Sequence, residues 1–353
     1  MSKFSQLLIN WYQQKDVKLP WRGETDIYKI WLSEVMLQQT QVKTVKPYYM
    51  KWLKQLPTCE LVANSTEDEV LKLWEGLGYY ARARNFRVAC QMVQSEFNGE
   101  IPKIPTSFIK LKGVGDYINS AVMSISENYP LPVIDGNVKR IVSRLICLEK
   151  YPSESISIIR KFLENVIPII NPGDFNQAMM DLGRTTCKSI NPRCNNCPIS
   201  QYCEAFQSNS VQKYPRRKQK KIIPHYEVAV GVIQRQNEIL IAKRKSDGLL
   251  GGMWEFTGGK IEGNETPEKC VIREVKEELG IVVKPVRFIK KIKHVYTHFS
   301  IELSAYYCDY ISGEPTALGC KEFRWIKPKE IHKFAFAKAN HKLFDKLEGV
   351  EIV

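Results

Sequence analysis

The chain has 353 residues, 44% hydrophobic and 25% charged, with a formal net charge of +14. Such values exclude a disordered or fibrous protein, and no apolar run approaches the roughly 20 residues of a membrane-spanning helix. The length suits two domains, the opening MSKFSQLLINWYQQ is too polar for a secretory signal, and a cytoplasmic protein is expected. The positive excess favours an anionic partner, nucleic acid before others, because Lys and Arg neutralise phosphates and release counterions.

In chain order, IYKIWLSEVMLQQ, EVLKLWEGL, YARARNFRVACQMVQSEF, YINSAVMSIS and NVKRIVSRLICL carry apolar residues at helical spacing. Breaks fall at NGEIPKIP, KGVG, NYPLPVIDG and NPGD, so the first two hundred residues are predicted to be all-α. Glu34 lies in the first of these helices. There it either faces solvent or is partly buried with the raised pKa a general acid needs. In LKGVGDY, Gly113 and Gly115 allow a tight turn whose backbone N–H groups can approach an anion, and the helix starting near Asp116 adds its dipole. Asp135 stands just before a helix, which alone reads as an N-cap.

Ten cysteines are present, and four of them cluster as Cys-x6-Cys-x2-Cys-x5-Cys at Cys187, Cys194, Cys197 and Cys203. In a reducing compartment such a cluster points to metal, and the spacing fits both a structural zinc and a 4Fe–4S cluster. The basic run KYPRRKQKKIIP then marks a linker. Beyond it YEVAVGVIQ, EILIAKRK, HVYTHFSIELSAYYCDY and EFRWI read as strands and PEKCVIREVKEELG as one helix, giving an α+β half. The expected division is 1–207, with the cysteine loop at 187–203, a linker at 208–224, and 225–353. The basic excess sits in the helical half and the linker.

The stretch GGKIEGNETPEKCVIREVKEELGI fits the pattern G-x5-E-x7-R-E-U-x-E-E-x-G-U, where U is bulky aliphatic, from Gly259 to Ile281. On a helix Glu274, Glu277 and Glu278 are spaced i, i+3 and i+4 and point one way. They either form a solvated acidic face or share Mg²⁺ with diphosphate oxygens.

Taken together, LPWR, LSEVMLQQTQV, WEGLGYYARARN, LKGVGDY, IDGNVKR, FNQAMMDLG and the cysteine loop closely resemble the helix–hairpin–helix base-excision glycosylases with an iron–sulfur loop, and the MutY-type adenine DNA glycosylases most. The match covers almost all of residues 1–205. It implies a multidomain protein: an all-α glycosylase with a 4Fe–4S loop on Cys187, Cys194, Cys197 and Cys203, then an α+β Nudix-like domain. It further implies a nucleoid-associated monomer that acts on double-stranded DNA and excises adenine opposite 8-oxoguanine or guanine. By resemblance Glu34 protonates the leaving adenine, Asp135 stabilises the sugar cation, and Tyr117 and Asn137 position them. Leu19, Trp21, Arg22, Gln177 and Asp181 would surround the flipped base. Gln39, Thr40, Leu77 and Tyr79 would fill its gap and touch the opposite base, although Leu19 and Leu77 equally suit a core. Gly113 and Gly115 would meet phosphate.

Bifunctional relatives carry a Schiff-base lysine where this chain has Tyr117, so base removal without efficient strand cleavage is expected. In this family the C-terminal domain looks like a Nudix hydrolase, usually lacks the complete box, and reads 8-oxoguanine through a loop that resembles HVYTHF, at Tyr296, Thr297 and His298. This chain keeps every box residue. A second, Mg²⁺-dependent hydrolysis of oxidised nucleoside triphosphates is therefore the alternative for Glu274, Glu277 and Glu278. A pyrimidine-directed glycosylase and a non-catalytic lesion binder are the alternatives for the whole chain, and the pairing of Glu34 with Asp135 argues against the latter.

Overall fold

The computed structural model describes residues 1–15, 18–218 and 223–349; residues 219–222 of the expected linker lie outside these. The chain divides into two compact units, Met1–Asn64 with Val88–Lys220, and Ser65–Arg87 with Lys221–Val353. The first is helical. Its elements are α1 (Lys3–Gln13), α2 (Ile27–Leu37), α3 (Val42–Gln55) and α4 (Cys59–Asn64); α5 (Glu67–Trp74) belongs to the second unit, and α6 (Ala81–Glu96) carries the chain back. The helices α7 (Pro105–Phe108), α8 (Asp116–Ser126), α9 (Gly136–Leu145), α10 (Ile156–Val166), α11 (Pro172–Thr185) and α12 (Glu204–Gln207) complete the first unit.

Local chemistry sets several of these ends. Asp26 caps α2 by accepting from the Tyr28 N–H at 2.9 Å, and Asp135 caps α9 through the Val138 N–H at 2.7 Å. Helix α2 is apolar nearly all round, with Ile30, Trp31, Leu32, Val35 and Met36 buried, so it runs through the core rather than along its surface. Helices α9 and α11 share a core with α1, built from Leu8, Val138, Val142, Leu163, Phe175 and Leu182. They pack at close range because Gly183 has no side chain: a Cβ there would stand 2.4 Å from the Cβ of Asn137. We expect Gly183→Ala to cost about 1–3 kcal/mol in urea denaturation, the usual size of overpacking, and to displace Asn137.

The second unit is built on a seven-stranded mixed sheet among the described residues. Its strands are β1 (His225–Arg235), β2 (Glu238–Lys243), β3 (Trp254–Glu255), β4 (Thr257–Lys260), β5 (Val282–Val295), β6 (Ser300–Ser312) and β7 (Glu322–Ile326), with α13 (Pro267–Leu279) and α14 (Lys338–His341). The order is β3-β2-β1-β6-β5, with β4 also on β1 and β7 also on β2; β1 and β6 run parallel. Residues of β1 alternate between two cores, as a period of two requires. Val230 and Val232 join Trp254, Phe256 and Phe336, while Ala229 and Ile233 join Val271, Val275 and Leu279 of α13. The run HVYTHFSIELSAYYCDY is not one strand. It spans the end of β5, a turn at 296–299 and β6. Helix α5 starts with a capping box, Thr66 with Glu69, and joins the sheet through Asp68 and Lys243 at 2.7 Å. Among the described residues no helix is long and apolar enough to cross a membrane.

Candidate active site

The helical unit holds a cavity of about 410 Å³ lined by Leu19, Trp21, Arg22, Glu34, Thr40, Tyr117, Asp135, Asn137 and Asp181. Residues from five sequence segments therefore meet at one place. Glu34 is 3% exposed. Its Oε2 accepts from the Tyr117 hydroxyl at 2.7 Å, and that hydroxyl also lies 3.8 Å from Met180 Sδ. Burial pushes the Glu34 carboxyl above its usual range; the Tyr117 bond and the Arg22 charge pull it back, and the Asp135 charge adds to the rise. Asp135 is also raised, by burial first, against bonds from the Val138 N–H and Asn137 and the charge of Arg140. Asn137 Nδ2 donates to Asp135 Oδ2 at 2.9 Å, and Arg140 Nη2 fixes the Asn137 oxygen at 2.9 Å. The Asp135 carboxylate is thus both a helix cap and a group held in orientation inside the cavity.

Across the cavity Arg22 bonds Gln177 and Asp181, the latter at 3.2 Å, and Arg184 holds Asp181 at 3.1 Å. Arg22 Nε and Asp181 Oδ2 are buried with no protein partner. Buried polar atoms ordinarily find partners, so a donor and an acceptor are left for a polar ligand. Trp21 is buried edge-on against Tyr49, with ring centroids 5.3 Å apart. Leu19 and Thr40 line the same space, and Gln39 follows α2 in the left-handed region at φ 55°. Sequence reasoning missed Lys43, Met180 and Arg184 as lining residues. Arg184 is one turn beyond Asp181 on α11, a helical-spacing signal that could have found it.

The α7–α8 turn exposes Gly113, at φ 79°, and Gly115, the N-cap of α8. No side-chain hydrogen bond caps that helix, so its first N–H groups remain available to an anion.

Helix α9 also reaches the cysteine loop. Arg144, 2% exposed, lies with Cys187, Cys194, Cys197 and Cys203 around one cavity. Its Nη1 is 3.2 Å from Cys187 Sγ and 2.8 Å from the Lys188 carbonyl, and Arg140 Nε donates to the Cys187 carbonyl at 2.8 Å. Burial pushes the Cys197 thiol up to about 12 and raises Cys194 and Cys203. Cys194, Cys197 and Cys203 sit where burial penalises thiolates, and with Cys187 they form a four-sulfur donor set that fits a metal cluster, whose positive charge would offset that penalty. Among the described residues no three His, Cys, Asp or Glu side chains lie close enough to hold a single metal ion.

In the second unit the carboxylates of α13 do not form one face toward one ion. Arg273 binds Glu265 at 2.7 Å, Glu274 at 3.0 Å and the exposed Glu277 at 3.2 Å. Glu278 instead turns inward beside Glu255, which sequence reasoning missed and which Arg244 holds at 2.6 Å. Burial pushes the Glu278 carboxyl up to about 8, with the charges of Glu255 and Glu274 adding to it, and its Oε2 has no protein partner. At the β5–β6 turn Tyr296 stacks on Phe299 at 4.7 Å, while Thr297 and His298 are exposed. Thr297 Oγ1 lies 2.9 Å from the Tyr79 hydroxyl. Leu77 is buried.

Two family models match the chain: the HhH-GPD superfamily of base excision DNA repair proteins over residues 32–168, and the NUDIX domain over 228–346. An adenine DNA glycosylase of Buchnera aphidicola subsp. Schizaphis graminum is 33% identical over 352 residues, 97% of this chain and 98% of that protein. The Homo sapiens adenine DNA glycosylase is 29% identical over 407 residues, 99% of this chain and 74% of that protein. Among solved structures, a thermostable thymine-DNA glycosylase matches with a TM-score of 0.54 at 24% identity, over 58% of this chain and 95% of its own, which is a likeness of fold.

Proposed function

The chain belongs to the adenine DNA glycosylase family, and we propose that it removes adenine lying opposite 8-oxoguanine or guanine, leaving the strand intact. It is a base-excision repair enzyme acting on DNA; the opposite base, the mechanism and the roles of individual residues are our reading. The observation that carries that reading is the buried, Tyr117-bonded Glu34 sharing a cavity with Asp135 and with unpartnered polar atoms of Arg22 and Asp181.

The glycosidic bond is shielded in the duplex, so the adenine must swing out into this cavity. There Arg22, Gln177 and Asp181 meet the polar edge of the base, and Trp21 and Leu19 its faces. Glu34, whose carboxyl burial raises, donates its proton to the leaving base, which is how a poor leaving group is made to depart. Positive charge then develops on the sugar, and the Asp135 carboxylate, oriented by Asn137 and the Val138 N–H, stabilises it. Glu34, now a base, directs water. Tyr117 keeps the Glu34 carboxyl in place. Because the position that would carry a Schiff-base amine is Tyr117, the product is an abasic site. Cys187, Cys194, Cys197 and Cys203 would hold a 4Fe–4S cluster, which when bound fixes the shape of the basic loop bearing Lys188 and Arg193. The chain acts as a monomer.

The test is a panel of duplexes carrying adenine opposite 8-oxoguanine, guanine or thymine, assayed with and without alkali. Free adenine from the first two and strand breaks only after alkali support the reading. Breaks before alkali would refute the monofunctional assignment and turn attention to Lys43, which lines the same cavity.

A second reading applies to the Nudix-like unit, where one observation favours it. Glu278 is a half-buried carboxyl whose Oε2 has no protein partner, raised further by the charges of Glu255 and Glu274, and one or two carboxylates together with substrate phosphates are enough for Mg²⁺. With such an ion the unit would hydrolyse oxidised nucleoside triphosphates. We expect the full chain to release pyrophosphate or phosphate from 8-oxo-dGTP in Mg²⁺, and Glu278→Gln to abolish that release without altering adenine excision. No release from the wild type would leave the unit as a reader alone.

A further inference from the structure

We propose that Glu75 is a positioning residue that clamps the turn at residues 76–80 to the C-terminal segment 334–341, so that Tyr79 and the β5–β6 turn engage the opposite base as one piece. The proposal rests on the reading that Tyr79 and Thr297 meet that base.

Glu75 ends α5, and its side chain is 14% exposed. Its carboxylate gathers donors from two separate parts of the chain. Oε1 accepts from the Phe336 N–H at 2.7 Å and faces His341 Nε2 at 2.8 Å, while Oε2 takes the Lys72 ammonium at 2.6 Å. Lys72 reaches on to the Phe334 carbonyl at 2.9 Å, closing the connection from the other side. Phe336 is itself fully buried, its ring against those of Phe256 and Phe344. Burial alone would raise the Glu75 carboxyl, but the bonds from His341, Lys72 and the Phe336 N–H outweigh it and hold it below its ordinary range. It is therefore an ion at neutral pH, and charge-assisted bonds fix geometry more firmly than neutral ones.

The residues that follow are costly to hold in shape. Gly76 and Gly78 have φ of 92° and 78°, and Tyr79 adopts φ 50°. A non-glycine residue in the left-handed region persists only where its surroundings impose it. Here Trp74 Nε1 and Arg82 Nη2 both donate to the Gly78 carbonyl, at 3.1 and 2.9 Å, and Gly76 N–H donates to the Tyr80 hydroxyl at 3.1 Å. The strained turn presents the Tyr79 hydroxyl 2.9 Å from Thr297 Oγ1. Glu75 is not among the residues lining the adenine cavity. Its bonds instead fix the base of the turn against the same core that carries β5 and β6. Loosening Glu75 separates the two contacts that distinguish one opposite base from another, and leaves the excision chemistry untouched.

The experiment uses the full chain with Glu75→Ala, Glu75→Gln and His341→Ala. Amide hydrogen exchange is followed in residues 76–80 and 334–341, alongside single-turnover excision of adenine opposite 8-oxoguanine and opposite guanine. In Glu75→Ala, exchange should rise in both segments together, and the ratio of the two excision rates should fall roughly tenfold, the size expected for losing bonds to a charged group. The rate opposite guanine should stay close to the wild-type value. Glu75→Gln still accepts from Phe336 and should keep most of the ratio; His341→Ala removes one donor and should shift both readouts less, in the same direction. Exchange that rises in one segment alone overturns the clamp. An unchanged rate ratio after both segments have loosened overturns its role in specificity. A wild type with no preference for 8-oxoguanine would instead refute the reading on which the proposal rests, while the exchange data still decide the clamp.

Discussion

Replacing Glu34 with Gln is expected to slow adenine excision by about 10²–10⁴-fold, the usual contribution of a general acid, while the protein gains stability. Gln keeps the shape of the side chain and an oxygen for the Tyr117 hydroxyl, so the cavity is preserved. The gain in stability follows from the direction of the pKa. The Glu34 carboxyl is raised in the fold by burial, so the stability it contributes is fully present below its unfolded value and is lost as pH rises through its folded value. Above that point the wild type holds a buried charge that the variant lacks. The Tm difference in favour of Glu34→Gln should therefore widen from acidic to mildly alkaline pH in thermal melts. A variant that loses activity and stability together at every pH would mean that Glu34 serves the fold instead.

The same shift gives the rate a pH profile. In the proposed mechanism excision needs Glu34 protonated and Asp135 ionised. Activity should fall on the alkaline side as Glu34 loses its proton and on the acid side as Asp135 gains one. Because burial raises both groups, both limbs should be displaced upward from where unburied Glu and Asp would put them, and they belong to the pair rather than to either residue.

Asp135→Asn is the second large effect. Asparagine caps helices about as well as aspartate, so the bond to the Val138 N–H at 2.7 Å survives in kind and α9 should stay folded. What disappears is the negative charge that, in the proposed mechanism, faces the developing sugar cation. A loss of about 10²–10³-fold in single-turnover rate is expected, the scale seen when one preorganised electrostatic contact is removed, with affinity for mispaired duplex little changed. Asp135→Ala should lose the same activity and also about 1 kcal/mol of stability with the cap. Comparing the two separates the cap from the chemistry, which is why the ordinary N-cap explanation and the catalytic one are not rivals here.

Much of this was legible in the chain. Apolar residues at helical spacing marked α2, α6, α8 and α9 to within a few residues, and the box helix α13 was marked at nearly the same ends. Other elements hid. Strand β5 carries Pro285 and six basic residues among fourteen, and its ladder to β6 is broken by register shifts, so its alternation is blurred. The turn at 296–299 shows in the residue pattern only as part of an aromatic, β-branched run, because its tightness comes from the Tyr296–Phe299 pairing rather than from Gly or Pro; the resemblance of HVYTHF to a reading loop was the one sign of it.

At the adenine cavity the residue types could be read but not their meeting. Nothing local links Arg22 to Gln177 and Asp181, more than 150 positions away. In the acidic box helical spacing put three glutamates on one side, yet Arg273 draws Glu277 outward and Glu278 turns in toward Glu255. Spacing fixes where a side chain starts, and packing decides where its charge ends. That residues 65–87 group with the sheet rather than with their sequence neighbours left no trace in composition; the bonds of Glu75 and Asp68 to that unit are single charged contacts with distant partners.

The central claim is that Glu34 and Asp135 break the glycosidic bond of an extruded adenine. Its most direct test is chromatographic measurement of free base from a duplex with one adenine opposite 8-oxoguanine, enzyme in excess, for the wild type and for Glu34→Gln. The wild type should release one equivalent of adenine with the strand unbroken, and the variant almost none over the same time. An intact adenine after wild-type treatment, or a variant that releases it at the wild-type rate, would contradict it.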